Sequence, residues 1–331
     1  MEAGIKTRPA IIGTGSYLPE RIIPNRLIEE EIGMPYGAVK RRTGITERRW
    51  AADHEATSDL ATRAAEKALK DAATGHGDID LIIVTTTSPD MVFPSTACLV
   101  QRNINARNAA AFDLSASCSG FIYGLSIADS YIRSGSVSVI LLISSEVKSR
   151  FINRSDPSTY MIFGDGAGAV VIGNGNDESG ILSVRVSSDG SRSDIIELQG
   201  GGSRNPISDV TLKMGLHFVK MKGGRLFKVA VKKLYEEISD LVKENGIGLC
   251  DIDQFIIHQA NLRILQAVAE RLGICEEKIF ISLDQIGNTS SSSIPIALDM
   301  AVRGGRIKRG DLILLAAFGG GLTWGSALVR W

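Results

Sequence analysis

The sequence predicts an α/β fold in which one unit is built twice, and three observations predict it. Apolar, β-rich runs alternate with stretches of helical period. One short motif recurs in both halves of the chain. The strand that comes later in each half recurs at the same spacing. The runs Leu81-Ile82-Ile83-Val84, Val139-Ile140-Leu141-Leu142-Ile143, Gln254-Phe255-Ile256-Ile257 and Leu312-Ile313-Leu314-Leu315 are continuously apolar or nearly so. Such runs mark strands buried on both faces, as in sheets covered by helices on each side. Ser58 to Ala73 and Phe227 to Glu244 carry apolar residues at helical spacing. Asp78-Ile79-Asp80 returns as Asp251-Ile252-Asp253 about 173 positions later, and the strand from Val139 meets the strand from Leu312 at the same displacement. A helical stretch precedes the Asp-Ile-Asp strand in each half. The chain therefore divides into residues 1–174 and 175–331, joined at the polar Gly173-Asn174-Gly175-Asn176-Asp177. No low-complexity linker separates the halves, so they are expected to pack against each other.

The 331 residues are 44% hydrophobic and 22% charged, which suffices for a large buried core. Lys plus Arg and Asp plus Glu number 37 each. Balanced charge gives no argument for a nucleic-acid or membrane-surface partner. No apolar run reaches the roughly 18 residues a membrane span needs. The opening MEAGIKTRPA has no apolar signal core, so a cytoplasmic protein is expected. Cys98, Cys118, Cys250 and Cys275 are widely spaced without a C-x-x-C pair. That pattern suits neither a zinc site nor a disulfide scaffold.

Cys118 stands in Ala111-Phe112-Asp113-Leu114-Ser115-Ala116-Ser117-Cys118-Ser119-Gly120-Phe121. A short strand there runs into small residues, and a helical pattern follows from Phe121 to Arg133. A cysteine at such a strand-to-helix turn meets free backbone N–H groups and the helix dipole, which favour a thiolate. The competing reading is a buried packing cysteine. His258 follows the strand Gln254–Ile257, at the end where open α/β sheets place ligands. A neutral imidazole there can polarise an acyl oxygen or shuttle a proton, although a lone histidine also serves as a hydrogen-bonded core residue. Asn288 lies in Gly287-Asn288-Thr289-Ser290-Ser291-Ser292-Ser293, which by composition is a turn and loop. The repeat suggests more. Asp129 and Arg133 match Asp299 and Arg303 at a displacement of about 170, and that register sets Asn288 opposite Cys118 at the head of an equivalent helix. Two related halves would then present these residues to one cleft. Gly13-Thr14-Gly15 and Gly164-Asp165-Gly166-Ala167-Gly168 lack the remainder of a dinucleotide or phosphate-loop motif, so they are read as tight packing turns. Gly319-Gly320-Gly321 follows a strand, where bare backbone can approach a ligand and offer N–H donors, or simply join strands.

Taken together these segments resemble the β-ketoacyl-acyl carrier protein synthase III family of condensing enzymes. The matching blocks run from Ile11-Ile12-Gly13-Thr14-Gly15-Ser16-Tyr17-Leu18-Pro19 through Arg42-Thr43-Gly44-Ile45, Phe163 to Ala169, His258-Gln259-Ala260-Asn261 and Gly287-Asn288-Thr289-Ser290 to Trp324-Gly325-Ser326-Ala327-Leu328-Val329-Arg330. The resemblance implies a thiolase-like fold, a duplicated α/β domain in a five-layer αβαβα stack, in a homodimer. It implies that Cys118 takes an acyl group from acyl-CoA or an acyl carrier protein. His258 and Asn288 would then stabilise the enolate formed when malonyl-acyl carrier protein loses CO2. The oxyanion hole would be the N–H groups of Cys118 and Gly320, with no metal or redox cofactor. It further implies substrate contacts at Arg42, Phe93, Gly223, Phe227, Ala260 and Asn261, with Phe93 limiting the acyl pocket across the dimer. Lys228 and Arg263 match positions that would dock the acidic carrier protein, and Arg225 stands in the same basic cluster as Lys228. Asn288, where elongating synthases carry a second histidine, points to the initiating type.

Two positions depart from the family. The Trp and Arg that clamp the adenine of coenzyme A are here Ala38 and Pro157. An aromatic–guanidinium sandwich contributes roughly 1–3 kcal/mol, so its loss would weaken coenzyme A about 5- to 150-fold. The primer is therefore expected to be held poorly as acyl-CoA, or to arrive on a carrier protein, or not to be acetyl. Relatives with the same residues but other products remain open at this level: biotin-precursor, quinolone or polyketide starter synthases, ester-forming acyltransferases, and non-catalytic partner subunits.

Overall fold

The computed structural model describes residues 8–175 and 179–331. The Asn176-Asp177 part of the expected junction lies outside the described residues, as does most of the N-terminal segment read for a signal core. A five-stranded sheet has the order Pro9–Tyr17, Gly166–Asn174, Ile140–Glu146, Leu81–Thr85, Ala110–Leu114. A four-stranded sheet has the order Gln254–Ile257, Leu312–Gly319, Thr323–Arg330, Gly180–Ser188. In the first, Leu81–Thr85 pairs in parallel with both neighbours, and the remaining pairings are antiparallel. In the second, Gln254–Ile257 is parallel to Leu312–Gly319 and the rest are antiparallel. The sheets thus share one strand sequence. The counterpart of the edge strand Ala110–Leu114 is reduced to a single bridge between Phe255 and Ile279.

The continuous apolar runs are explained by alternation between two covered faces. Leu81 and Ile83 join a central cluster with Phe121, Leu125, Ile294 and Leu298, and with Ile313 and Leu315 of the other sheet. Ile82 and Val84 point the other way, onto Leu60, Ala64 and Ala68 of the helix Thr57–Asp71. In the second half Phe255 and Ile257 face Leu234, Ile238 and Val268, from the helices Gly223–Glu244 and Leu262–Leu272. The helices Gly120–Arg133 and Ser293–Arg303 lie between the sheets. The result is the expected five-layer αβαβα stack.

The repeated Asp-Ile-Asp motif has the same physical job twice. Asp78 and Asp251 each accept the N–H of the glycine three residues before, Gly75 at 3.0 Å and Gly248 at 2.7 Å, which closes a 3₁₀ turn. Asp80 then accepts from Val139 N–H at 2.9 Å, and Asp253 from Leu312 N–H at 2.7 Å, which ties neighbouring parallel strands in register.

Three local expectations need correction. Gly13 and Gly15 lie within the strand Pro9–Tyr17 rather than in a turn. A Cβ on Gly15 would fall 2.4 Å from Ala68 N, so these glycines admit the alanine face of a helix. Gly166 and Gly168 likewise belong to the strand Gly166–Asn174, with Gly168 against the backbone of Pro295 and Ile296. The helix read from Phe227 begins four residues earlier, at Gly223. Glycine is tolerated there because first-turn N–H groups lack intrahelical partners in any case.

Candidate active site

Cys118 sits in the 3₁₀ turn Ser117–Ser119 between the strand Ala110–Leu114 and the helix Gly120–Arg133. Ser117 takes the left-handed conformation, φ 51°, to make that turn. The second half repeats it: Ser290 has φ 54° in the 3₁₀ turn Ser290–Ser292 ahead of the helix Ser293–Arg303. Ser117 therefore matches Ser290, which sets Cys118 opposite Ser291. The expected pairing of Cys118 with Asn288 is corrected. The helix of 14 residues has become one of 11, so the register changes by three between its two ends. Asn288 precedes the matching turn but reaches the same cleft. Its backbone is held by Ile162 and Gly164 (2.9 and 3.0 Å), and its Oδ1 accepts the Ser290 N–H at 2.8 Å. That leaves the amide N–H groups as the part free to address a ligand.

His258 follows the strand Gln254–Ile257, and its backbone N–H is bonded to Ala316 O at 2.8 Å. Its Nδ1 lies 2.6 Å from Ser293 Oγ, which also accepts the Gln259 N–H at 3.4 Å. The serine hydrogen is thus available to Nδ1, an arrangement that puts the ring proton on Nε2. Burial alone pushes the imidazole down to about 4, so the ring is neutral at neutral pH.

The thiol of Cys118 behaves differently from the expectation. Burial pushes it above the ordinary value of 9.0, and Glu146 adds to that. The Ser290 hydroxyl and the Lys148 charge pull the other way without reversing it. Desolvation of the anion is the largest influence on the thiol and disfavours a resting thiolate. Cys118 Sγ is 3.4 Å from Ser290 Oγ.

Cys118 stands between two spaces. A small cavity of about 40 Å³ is lined by Cys118, His258 and Asn288 together with Ala260, Gly319 and Gly320. A larger one of about 920 Å³ is lined by Cys118 as well, with Ser290, Thr87, Lys148, Phe163 and Gly320. Gly319 is the residue that lets these parts meet. A Cβ there would lie 2.7 Å from Cys118 N, closer than packed atoms tolerate.

The remaining candidates are spread more widely. Ala260 lines the small cavity. Asn261 caps the helix Leu262–Leu272 by accepting the Arg263 N–H at 2.9 Å, and its Nδ2 donates to the carbonyl of the exposed Arg42. Gly223 opens its helix, with Phe227 on the next turn and part exposed. Arg225 and Lys228 line a separate recess beside Arg192 and Asp194, while Arg263 is exposed. Phe93 is 83% exposed and lines neither cavity. Ala38 is buried at the start of the helix Ala38–Thr43, and Pro157 opens the helix Pro157–Tyr160. No described helix is long and apolar enough to cross a membrane.

Sequence reasoning missed the supports of the site. Ser290 and Ser293 are loop serines by composition, yet all residues from Thr289 to Ser293 are buried. Buried Glu146 was missed as well. It accepts from Thr87 N–H, Ser88 Oγ and Ser291 Oγ and pairs with Lys148 at 3.3 Å. The polar end Ser144-Ser145-Glu146 of an otherwise apolar strand was the available signal.

The model of the 3-oxoacyl-[acyl-carrier-protein (ACP)] synthase III family matches residues 112–190, and that of the same family's C-terminal part matches residues 242–331. A beta-ketoacyl-[acyl-carrier-protein] synthase III of Caldanaerobacter subterraneus is 47% identical, covering 98% of each chain. The crystal structure of 3-oxoacyl-[acyl-carrier-protein] synthase III from Aquifex aeolicus superposes with a TM-score of 0.90 at 43% identity, over 98% of this chain and 100% of the other. The priming β-ketosynthase of the R1128 polyketide pathway superposes with a TM-score of 0.90 at 31% identity, over 99% and 98%.

Proposed function

The chain belongs to the 3-oxoacyl-[acyl-carrier-protein] synthase III family, and from that membership and the Cys118 site we propose a decarboxylating condensation that initiates fatty-acid synthesis. The observation that carries it is the single cavity lined by Cys118, His258 and Asn288. Cys118 Sγ attacks the carbonyl of an acyl thioester. The carbon–sulfur bond of the thioester breaks, and the thiol proton leaves with the departing carrier thiol. Malonyl-acyl carrier protein then loses CO2. The electron pair passes to its thioester oxygen, where His258 Nε2–H and the Asn288 amide donate hydrogen bonds to the enolate. The enolate carbon attacks the acyl-cysteine, the cysteine sulfur departs and takes a proton from solvent, and 3-oxoacyl carrier protein is released. The N–H groups of Cys118 and Gly320 serve the tetrahedral oxyanions. The scheme draws on no metal or redox group, because the thioester itself accepts the carbanion charge.

A neutral His258 supports this reading, since it offers a hydrogen and brings no charge that would hold the substrate carboxylate in place. Lys228, Arg225 and Arg263 are the proposed docking face for an acidic carrier protein. Arg42, Gly223, Phe227, Ala260 and Asn261 are proposed to line the way in for the pantetheine arm. Exposed Met91, Val92 and Phe93 support a homodimer that covers them, with Phe93 closing the partner's acyl cavity. A cytoplasmic location fits these substrates.

Intact-protein mass spectrometry after incubation with acetyl and longer acyl groups, each on coenzyme A and on carrier protein, tests the reading. The expected result is one acyl mass per chain, borne by Cys118. Because Ala38 and Pro157 offer no adenine clamp, coenzyme A should be held about 5- to 150-fold more weakly than by a relative with the clamp, and loading from carrier protein should exceed loading from coenzyme A. Equal loading from the two carriers would remove that part of the proposal. The likeness to the R1128 priming enzyme supports a second reading, a starter synthase of a specialised pathway. An adduct formed only with unusual primers would favour it.

A further inference from the structure

The larger cavity has a charged residue in its wall that the condensation does not use. Lys148 is 7% exposed and lines the space that Cys118 opens onto, with Leu114, Phe151, Phe163, Ile196 and Val219 and with the acidic Asp113 and Glu197 elsewhere in the wall. Its Nζ hydrogen-bonds Thr87 Oγ1 and sits 3.3 Å from Glu146 Oε2. Glu146 has other donors in abundance. Thr87 N–H reaches it at 3.2 Å, Thr87 Oγ1 at 3.2 Å, Ser291 Oγ at 2.9 Å, and the Thr86 and Ser88 hydroxyls also donate to it. A carboxylate offers about four acceptor sites, so these donors fill it without the lysine. An ammonium carries three N–H donors, and its described partners, Thr87 Oγ1 and Glu146, take at most two of them. A pocket meant for a plain alkyl chain would be better walled by an apolar side chain, because a buried ammonium costs stability unless its donors are used.

Resting on the condensing reading above, we propose that Lys148 selects the primer by donating to an oxygen on the acyl chain. The cavity takes acyl thioesters that bear a hydroxyl, keto or carboxylate oxygen in preference to alkyl thioesters of the same length. Glu146 already balances the charge of Lys148, so a neutral hydroxyl or keto oxygen accepts the third N–H without adding net charge. A carboxylate adds a negative charge beside Glu146 and ranks below them.

The test is the initial rate of acyl transfer to Cys118, read by intact mass, with butyryl, 3-hydroxybutyryl, acetoacetyl and succinyl thioesters on one carrier. In the wild type the hydroxy and keto groups should load roughly 10-fold or more faster than butyryl, the worth of one charge-assisted hydrogen bond. Lys148→Met should erase that ratio, and Lys148→Gln, which keeps a neutral donor, should retain part of it. The wild-type ratio is read without any variant, so it decides even if Lys148→Met does not fold. Butyryl loading as fast as the oxygenated groups overturns the proposal, as does a Lys148→Met enzyme in which every rate falls by the same factor. Acylation with no oxygen preference sinks this inference alone. Absence of acylation by any thioester sinks the condensing reading and this inference with it.

Discussion

Cys118→Ala protein is expected to take up no acyl group and to condense at least roughly 10³-fold more slowly than the wild type. The thiol is the nucleophile of the proposed scheme, and no second thiol stands near. Cys250 and Cys275 are exposed, and Cys98 contacts the backbone of Ala111, away from both cavities. The fold should survive, because the thiol's hydrogen-bonding partners are the hydroxyls of Ser290, at 3.4 Å, and Ser117, and neither contact ties distant layers of the core together. Malonyl-carrier decarboxylation should survive as well, since His258 and Asn288 act on a different thioester. The measurement pairs intact mass after acyl exposure with CO2 release from malonyl-carrier protein. An acyl adduct on Cys118→Ala protein would place the nucleophile elsewhere and end the proposed mechanism. Because burial holds the thiol protonated at rest, simple alkylation is a weak probe of this site. A thioester that docks against the oxyanion donors is the informative reagent.

His258→Ala and Asn288→Ala should give the reverse pattern. Each removes one donor to the enolate oxygen, and a lost donor of that kind costs roughly 10²–10³ in rate. Decarboxylation should fall by that factor while loading of Cys118 stays within about tenfold. The two losses should combine less than multiplicatively, because both donors serve one oxygen. The protonation state is open to a direct check. The His258 imidazole should titrate near its depressed value of about 4 rather than the ordinary 6.5, visible in the ring resonances of the folded protein. Between those values the folded ring is neutral where an unfolded one is charged, so decarboxylation should show no inflection near 6.5. Loading of Cys118 lost as fully as decarboxylation would falsify the assignment of these two residues to the enolate step, and a titration near 6.5 would show that burial does not set the protonation state of the ring.

How the site was legible follows from where its information lies. Cys118 was found because small residues between a strand and a helix leave a local signature, and His258 because it directly follows a buried strand. Asn288 was found through a register that the structure corrects. The charged pair at the far end of each helix repeats at about 170 positions, while the serine turns at the near end repeat at about 173. A shortening of three residues inside a helix leaves no mark in composition. Ser293, Ser290 and Lys148 were not legible as site residues. The Ser293 contact to His258 spans 35 positions and the Ser290 contact to Cys118 spans 172.

Sequence alone determined the layering and the repeat. Strand burial is written in continuous apolar runs, helical faces in their period, and each Asp-Ile-Asp turn in a local hydrogen bond to a glycine three residues away. It also singled out Cys118, His258 and Asn288. The tertiary structure alone decided the state in which these groups rest. Closing the two halves over the cleft strips water from the thiol and the imidazole, which raises one and lowers the other. That closure also puts Lys148 in the wall of the larger cavity beside Cys118. Desolvation and charge proximity are sums over groups from distant segments, so they come into being only when the chain has folded.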